Sequence, residues 1–180
     1  MEKIRTHLEK IERFYADILV FLSALTHLIF FGYPAQVVFD EIYFGNFVSG
    51  YSTGKYFFDI HPPLGKLILS LCGKLFGIQP LDHLSAIGET FSNPGYLALR
   101  ALPIVAGILL PVVLYFLARR LGLSKNASFF AGLVVILENS LLVQSRFIFL
   151  DSMLLLVGFL GLGLYLKGRN KNSDWWILGS

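Results

Sequence analysis

Residues 96–118 read YLALRALPIVAGILLPVVLYFLA, and the one charged side chain among them is Arg100. A helix of about 20 predominantly apolar residues crosses the ~30 Å hydrocarbon core of a bilayer. This run therefore predicts a membrane crossing. Three further apolar runs lie at about 14–34, 127–146 and 150–167, and Trp175 and Trp176 mark the start of a fifth candidate. The whole chain agrees: of 180 residues, 55% are hydrophobic and 15% charged, far from the balance of a soluble domain. The expected fold class is an all-α membrane protein, a multi-spanning helical bundle.

The charges follow the runs. Lys3, Arg5, Lys10 and Arg13 precede the first, Arg119, Arg120 and Lys125 separate the second from the third, and Lys167, Arg169 and Lys171 follow the fourth. If each run crosses once, all of these fall on one side, which the positive-inside rule makes cytoplasmic, with the N-terminus inside. The net charge of +3 is thus topological, and no nucleic-acid partner is expected. The first run is too long for a signal h-region and carries Asp17 and His27, so it reads as a retained crossing. Asn126-Ala127-Ser128 matches a glycosylation sequon but falls on the cytoplasmic side, where Ser124 reads as a helix start. The single cysteine, Cys72, permits no internal disulfide and reads as a packed apolar residue.

Residues 35–95 then form an outer-face loop too long to be a plain connection. Within it Leu64, Leu67, Ile68, Leu71, Cys72, Leu75 and Phe76 repeat with helical spacing. About 13 residues at 1.5 Å each reach roughly 20 Å, short of a crossing. The expectation is an interfacial amphipathic helix with Lys66, Ser70 and Lys74 toward the head groups. Pro62 and Pro63 fit its start, and Gly77 and Pro80 its end.

Charged groups gather on the same side. Asp40 and Glu41, in FDEIYF at 39–44, are adjacent and cannot share a face of a regular element, so one points into a cavity while the other braces it. Asp59 and His61 lie in the same loop. Arg100 heads an apolar crossing, where a cation marks a partner or a substrate path. Arg146 and Asp151 bracket the outer turn between the last two runs, and Glu138 lies in the outer half of the third. Two arrangements are open: structural pairing of Arg146 with Glu138 or Asp151, or one outer pocket holding Asp40, Glu41, His61, Lys66, Arg100, Arg146 and Asp151.

Such a pocket has a chemistry. Moving a sugar from a membrane-bound lipid phosphate to a hydroxyl needs a carboxylate base for the hydroxyl proton. Cations or N–H donors must also stabilise the departing phosphate. A single displacement inverts the anomeric centre. The leaving lipid phosphate drives the reaction, and the sequence carries neither GxxxxGK[ST] nor a convincing GxGxxG.

Four segments carry a family resemblance: FDEIYFGNF at 39–47, YFFDIHPPLGKL at 56–67, YLALRALPIVAG at 96–107 and ENSLLVQSRFIFLDSML at 138–154. In that order and spacing the chain resembles the dolichyl-phosphate-mannose protein O-mannosyltransferases, membrane glycosyltransferases of the GT-C fold. The resemblance implies that Asp40 is the catalytic carboxylate and that Glu41 orients the site. It implies that Arg100 holds the donor phosphate, with His61 and Lys66 beside the lipid-phosphate path, and that Arg146, Asp151 and Glu138 line the cavity. It further implies a polyprenyl or dolichyl phosphate mannose donor, Ser/Thr acceptors on proteins, no metal or other cofactor, and a homo- or heterodimer. The membrane would be a prokaryotic plasma membrane or the endoplasmic reticulum. Many relatives have histidine where this chain has Tyr43, and they continue through more crossings, so the chain reads as the N-terminal part of a longer enzyme. Three alternatives remain: transfer of another sugar or to a lipid, a transporter, or a non-catalytic membrane subunit.

Overall fold

The computed structural model describes residues 2–76 and 84–169. The expected fifth crossing at Trp175 and Trp176, Lys171, and the helix-ending Gly77 and Pro80 lie outside them. Seven helices run in order through the described residues: α1 Glu2–Leu28, α2 Glu41–Thr53, α3 Pro63–Leu75, α4 Gly95–Arg120, α5 Lys125–Leu137, α6 Asn139–Gln144 and α7 Asp151–Arg169. No strand is present among those residues beyond an isolated bridge between Gln36 and Thr90.

Helix α4 is the axis of the bundle, packed against α1, α3, α5 and α7. It and α7 are long and apolar enough to cross a membrane. Pro103 and Pro111 sit inside α4. A proline has no N–H to offer the carbonyl four residues back, so Pro111 frees the carbonyl of Gly107, and Ser23 Oγ of α1 donates to it at 3.4 Å. Gly107 itself permits the approach, because a Cβ there would stand 2.6 Å from His27 Nε2 and 2.7 Å from Ser145 Cβ. Thus one glycine and one proline weld α1 to α4.

Two of the expected runs are interrupted. The first belongs to a helix that starts earlier, at Glu2, and ends at Leu28, and residues 29–34 turn instead, with Phe30 at φ +63°. The third is broken at Glu138, whose extended backbone ends α5 and whose carboxylate accepts from Ser140 N–H and Leu141 N–H to start α6. Asn, Asp, Ser and Glu near a helix start compete for backbone N–H groups in this way. Helix α5, at 13 residues, reaches about 20 Å. Its start is as expected, with Ser124 accepting from Ala127 N–H at 3.2 Å.

The outer loop is a packed unit. Val37 exchanges backbone hydrogen bonds with Gly88 and Glu89, 2.8 Å each, and Asn46 clamps the backbone of Leu84 through both ends of its amide. Helix α3 falls where the leucine spacing placed it, but Lys66, expected toward the head groups, is buried with Leu69 and Cys72 while Leu64, Leu67, Leu71 and Leu75 are exposed; α2 was not foreseen. Phe44 and Val48 of α2, Leu69 of α3, Leu99 of α4 and Ile148 before α7 share one buried cluster. The loop is therefore bolted to the N-terminal end of α4.

Candidate active site

Glu41 and Arg100 are both completely buried and form a bidentate ion pair, with Arg100 Nε 2.8 Å from Oε1 and Nη2 2.7 Å from Oε2. The remaining three N–H groups of Arg100 donate to the carbonyls of Gly32 (3.1 Å), Pro34 (2.7 Å) and Gln36 (3.0 Å). A guanidinium has five N–H donors, so none is left for a ligand. Phe91, Tyr96 and Phe147 surround it, with ring centroids 4.9–5.3 Å from its central carbon. Glu41 also accepts from Val38 N–H and Ile148 N–H at 2.9 Å each. This pair ties together α2, α4, the 32–38 turn and the segment before α7.

Asp40 behaves oppositely. It is half-buried at the start of α2, and its carboxylate makes no hydrogen bond or ion pair among the described residues. Its backbone carbonyl accepts from Tyr43 and Phe44. Phe39, just before it, is at φ +46°, a left-handed conformation that a bulky residue rarely adopts and that costs about 1–3 kcal/mol. The adjacent carboxylates thus divide as their geometry requires, one inward and bound, one outward and free.

A second polar group lies one helical turn along. Asp59 receives the ammonium of Lys66 on Oδ2 and the Nδ1–H of His61 on Oδ1 at 2.9 Å. Lys66, itself buried, also donates to the carbonyl of His61 at 3.0 Å and lies over the ring of Phe47. Burial alone would raise the Asp59 pKa, but the hydrogen bonds from Lys66 and His61 outweigh it and hold the carboxyl at about 2. The His61 ring rests against Phe44, centroids 5.7 Å apart.

Arg146 donates to the carbonyl of Thr26, and its Nε is buried without a hydrogen-bond partner. With Phe30, Tyr33 and Phe147 it lines a cleft of about 190 Å³. A larger cleft, about 330 Å³, lies between α2 and residues 55–57. Asp40 lines neither. The expected single pocket is therefore divided: Glu41 with Arg100 in the core, Lys66 behind Asp59 and His61, and Arg146 at its own cleft. Pairing of Arg146 with Glu138 or Asp151 is absent among the described residues, where Glu138 caps α6 and Asp151 is an exposed first residue of α7. Tyr43 is exposed.

Residues 17–179 match the family model described as dolichyl-phosphate-mannose-protein mannosyltransferase. The chain belongs to this mannosyltransferase family. Dolichyl-phosphate-mannose-protein mannosyltransferase 4 of Candida albicans is 34% identical over 162 residues, covering 86% of this chain and 22% of that protein. Human protein O-mannosyl-transferase 1 is 37% identical over 153 residues, 81% of this chain and 20% of that protein. The solved S. cerevisiae protein O-mannosyltransferase Pmt1-Pmt2 complex bound to the sugar donor superposes with a TM-score of 0.82 at 30% identity, over 87% of this chain and 22% of that one. The chain thus spans about a fifth of the length of these mannosyltransferases.

Within the mannosyltransferase frame, the residue that sequence reasoning left without a role is Asp59. Its two-residue spacing from His61, just before the Pro62-Pro63 pair, was the available signal.

Proposed function

We propose that the protein transfers mannose from a polyprenyl or dolichyl phosphate mannose to Ser or Thr hydroxyls of proteins, with Asp40 as the base. The observation that carries this reading is the Asp40 carboxylate: without a bonding partner among the described residues, half-buried and adjacent to the clamped Glu41. A carboxylate in that state is able to accept the acceptor's hydroxyl proton as the oxygen attacks the anomeric carbon, and one such displacement inverts it. Phosphate contact falls to Arg146 through Nε–H, and to His61 through Nε2 when the ring carries both of its protons. Arg100, Glu41 and Lys66 act as braces, which revises the phosphate role expected for Arg100 and Lys66. No metal or other cofactor enters the scheme.

The protein in this reading crosses the membrane several times with its N-terminus inside, in a plasma or endoplasmic reticulum membrane. Helix α3 lies in the outer interface, because Leu64, Leu67, Leu71 and Leu75 form an exposed apolar stripe while Lys66, Leu69 and Cys72 face inward. Assembly as a homo- or heterodimer fits a family member whose solved relative is a Pmt1-Pmt2 complex. The test is transfer of radiolabelled mannose from polyprenyl-phosphate mannose to a Ser/Thr-rich peptide, using membranes that contain the full-length protein or its Asp40→Asn form. A loss of about 100-fold or more supports the scheme. Equal transfer by both forms removes Asp40 as the base, and label appearing in lipid instead of peptide reassigns the acceptor.

A further inference from the structure

The segment YFFDIHPPLGK at 56–66 crosses in front of α2 and enters α3 through Pro62, whose φ −53° and ψ 142° extend the chain. The chain bends at Ile60 and His61, and across that bend His61 Nδ1 meets Asp59 Oδ1 at 2.9 Å. Lys66, in the first turns of α3, then reaches back to both, to the carboxylate of one and the carbonyl of the other. The two oxygens of Asp59 are divided, Oδ2 to Lys66 and Oδ1 to the histidine ring. A brace for the loop would need only the lysine contact.

We infer that Asp59 is a positioning residue, which holds the His61 ring so that Nε2 is the atom presented to the phosphate of the lipid-linked donor. Ionised Asp59 can only accept, so Nδ1 must carry the proton of their shared hydrogen bond. The Phe44 ring packs against it, tilted by 55° with centroids 5.7 Å apart, and Lys66 holds its backbone carbonyl. Rotation about the side-chain bonds would break the Oδ1 contact. Among the described residues Nε2 is the unbonded nitrogen of a half-exposed side chain, beside Phe44, four residues after Asp40 in the chain. When the ring carries its second proton, Nε2–H donates to a phosphate oxygen in a charge-assisted hydrogen bond. No covalent bond is made, and the proton stays on the ring. The orientation of a working histidine through its other nitrogen is a general device, and losing such a partner typically lowers function by about 10–100-fold.

This inference rests on the phosphate role proposed for His61, and a double-mutant cycle separates the two. Donor-dependent initial rates are measured in membranes containing full-length wild type, Asp59→Asn, His61→Gln, Lys66→Met, and the pairs Asp59→Asn/His61→Gln and Asp59→Asn/Lys66→Met. Asp59→Asn is expected to lower kcat/KM for the donor by about 10–100-fold, and adding it to His61→Gln is expected to change the rate by less than about threefold, since the partner it serves is gone. Multiplying losses in the histidine pair, with non-additivity confined to the lysine pair, would make Asp59 a loop brace and overturn the inference. Wild-type rates for His61→Gln would overturn it by removing the histidine's role, while Asp40→Asn in the same membranes reports separately on mannosyl transfer. Should Asp59→Asn fail to accumulate, Asp59→Glu enters the same cycle.

Discussion

Replacing Arg100 by methionine distinguishes a brace from a phosphate ligand. The substitution keeps the length of the side chain and removes five donated hydrogen bonds, two to Glu41 and three to the carbonyls of Gly32, Pro34 and Gln36. Breaking a buried ion pair by deleting one partner costs about 3–5 kcal/mol. The Gly32 carbonyl keeps Tyr96 OH as a donor, and the two stranded carbonyls of Pro34 and Gln36 at about 1–3 kcal/mol each bring the total to about 5–11 kcal/mol, comparable with the ~5–15 kcal/mol that holds a domain folded. Arg100→Met is therefore expected not to accumulate as folded full-length protein. Arg100→Lys keeps the charge with three donors instead of five, and the two lost charge-assisted bonds at about 1.5–3 kcal/mol each predict a loss of roughly 3–6 kcal/mol. The assay is thermal challenge of detergent-solubilised protein followed by size-exclusion chromatography, with donor KM measured in parallel membranes. Glu41→Gln combined with Arg100→Met should recover part of the loss, because no unpaired charge remains. Arg100→Lys or Arg100→Met melting like wild type while donor KM rises would refute the argument and restore Arg100 to the phosphate.

Asp40→Asn is expected to melt like wild type, since its carboxylate bonds to nothing among the described residues, while losing about 100-fold or more in transfer; Glu41→Gln should instead lower the melting temperature. Asp59 titrates at about 2 when folded, against 3.8 for the free side chain, so its support of the loop is present above pH ~4 and lost as pH falls toward 2. Hydrogen exchange of residues 56–66 measured from pH 6 to pH 2 should rise only below about pH 4 and lose that step in Asp59→Asn. Gly107→Ala forces a methyl against His27 and Ser145 and should cost about 1–3 kcal/mol. Gly158→Ala, with open space around it, should be neutral or stabilising by up to about 1 kcal/mol, a contrast read from paired melting curves.

Apolar run length made the long helices legible, and leucine spacing located α3 to within a residue or two. Helix α2 was hidden because its sequence, EIYFGNFVSGYST, has two glycines and many β-formers; it is held by tertiary contacts with α3 and α4, which override local propensity. The breaks at residues 29–34 and at Glu138 were hidden inside runs that hydropathy averages over. In the site, residue type revealed which groups matter but not how they pair. Arg100 and Glu41 are 59 residues apart, and nothing local in either segment states that one satisfies the other. Once they are joined, the five N–H groups of the arginine that hydropathy singled out are all taken, and among the described residues of the site the unbonded nitrogens are His61 Nε2 and Arg146 Nε.

The clamp on Glu41 also determines how still its neighbour stands. Consecutive Cα atoms are 3.8 Å apart, so Asp40 is one peptide unit away from a residue whose side chain is pinned to three other segments, α4, the 32–38 turn and the stretch before α7. Its oxygens can remain chemically idle without becoming positionally loose. In the proposed scheme the aiming and the proton acceptance reside in adjacent residues, Glu41 and Asp40, so that loosening the clamp at Glu41 would reach the base through one peptide unit.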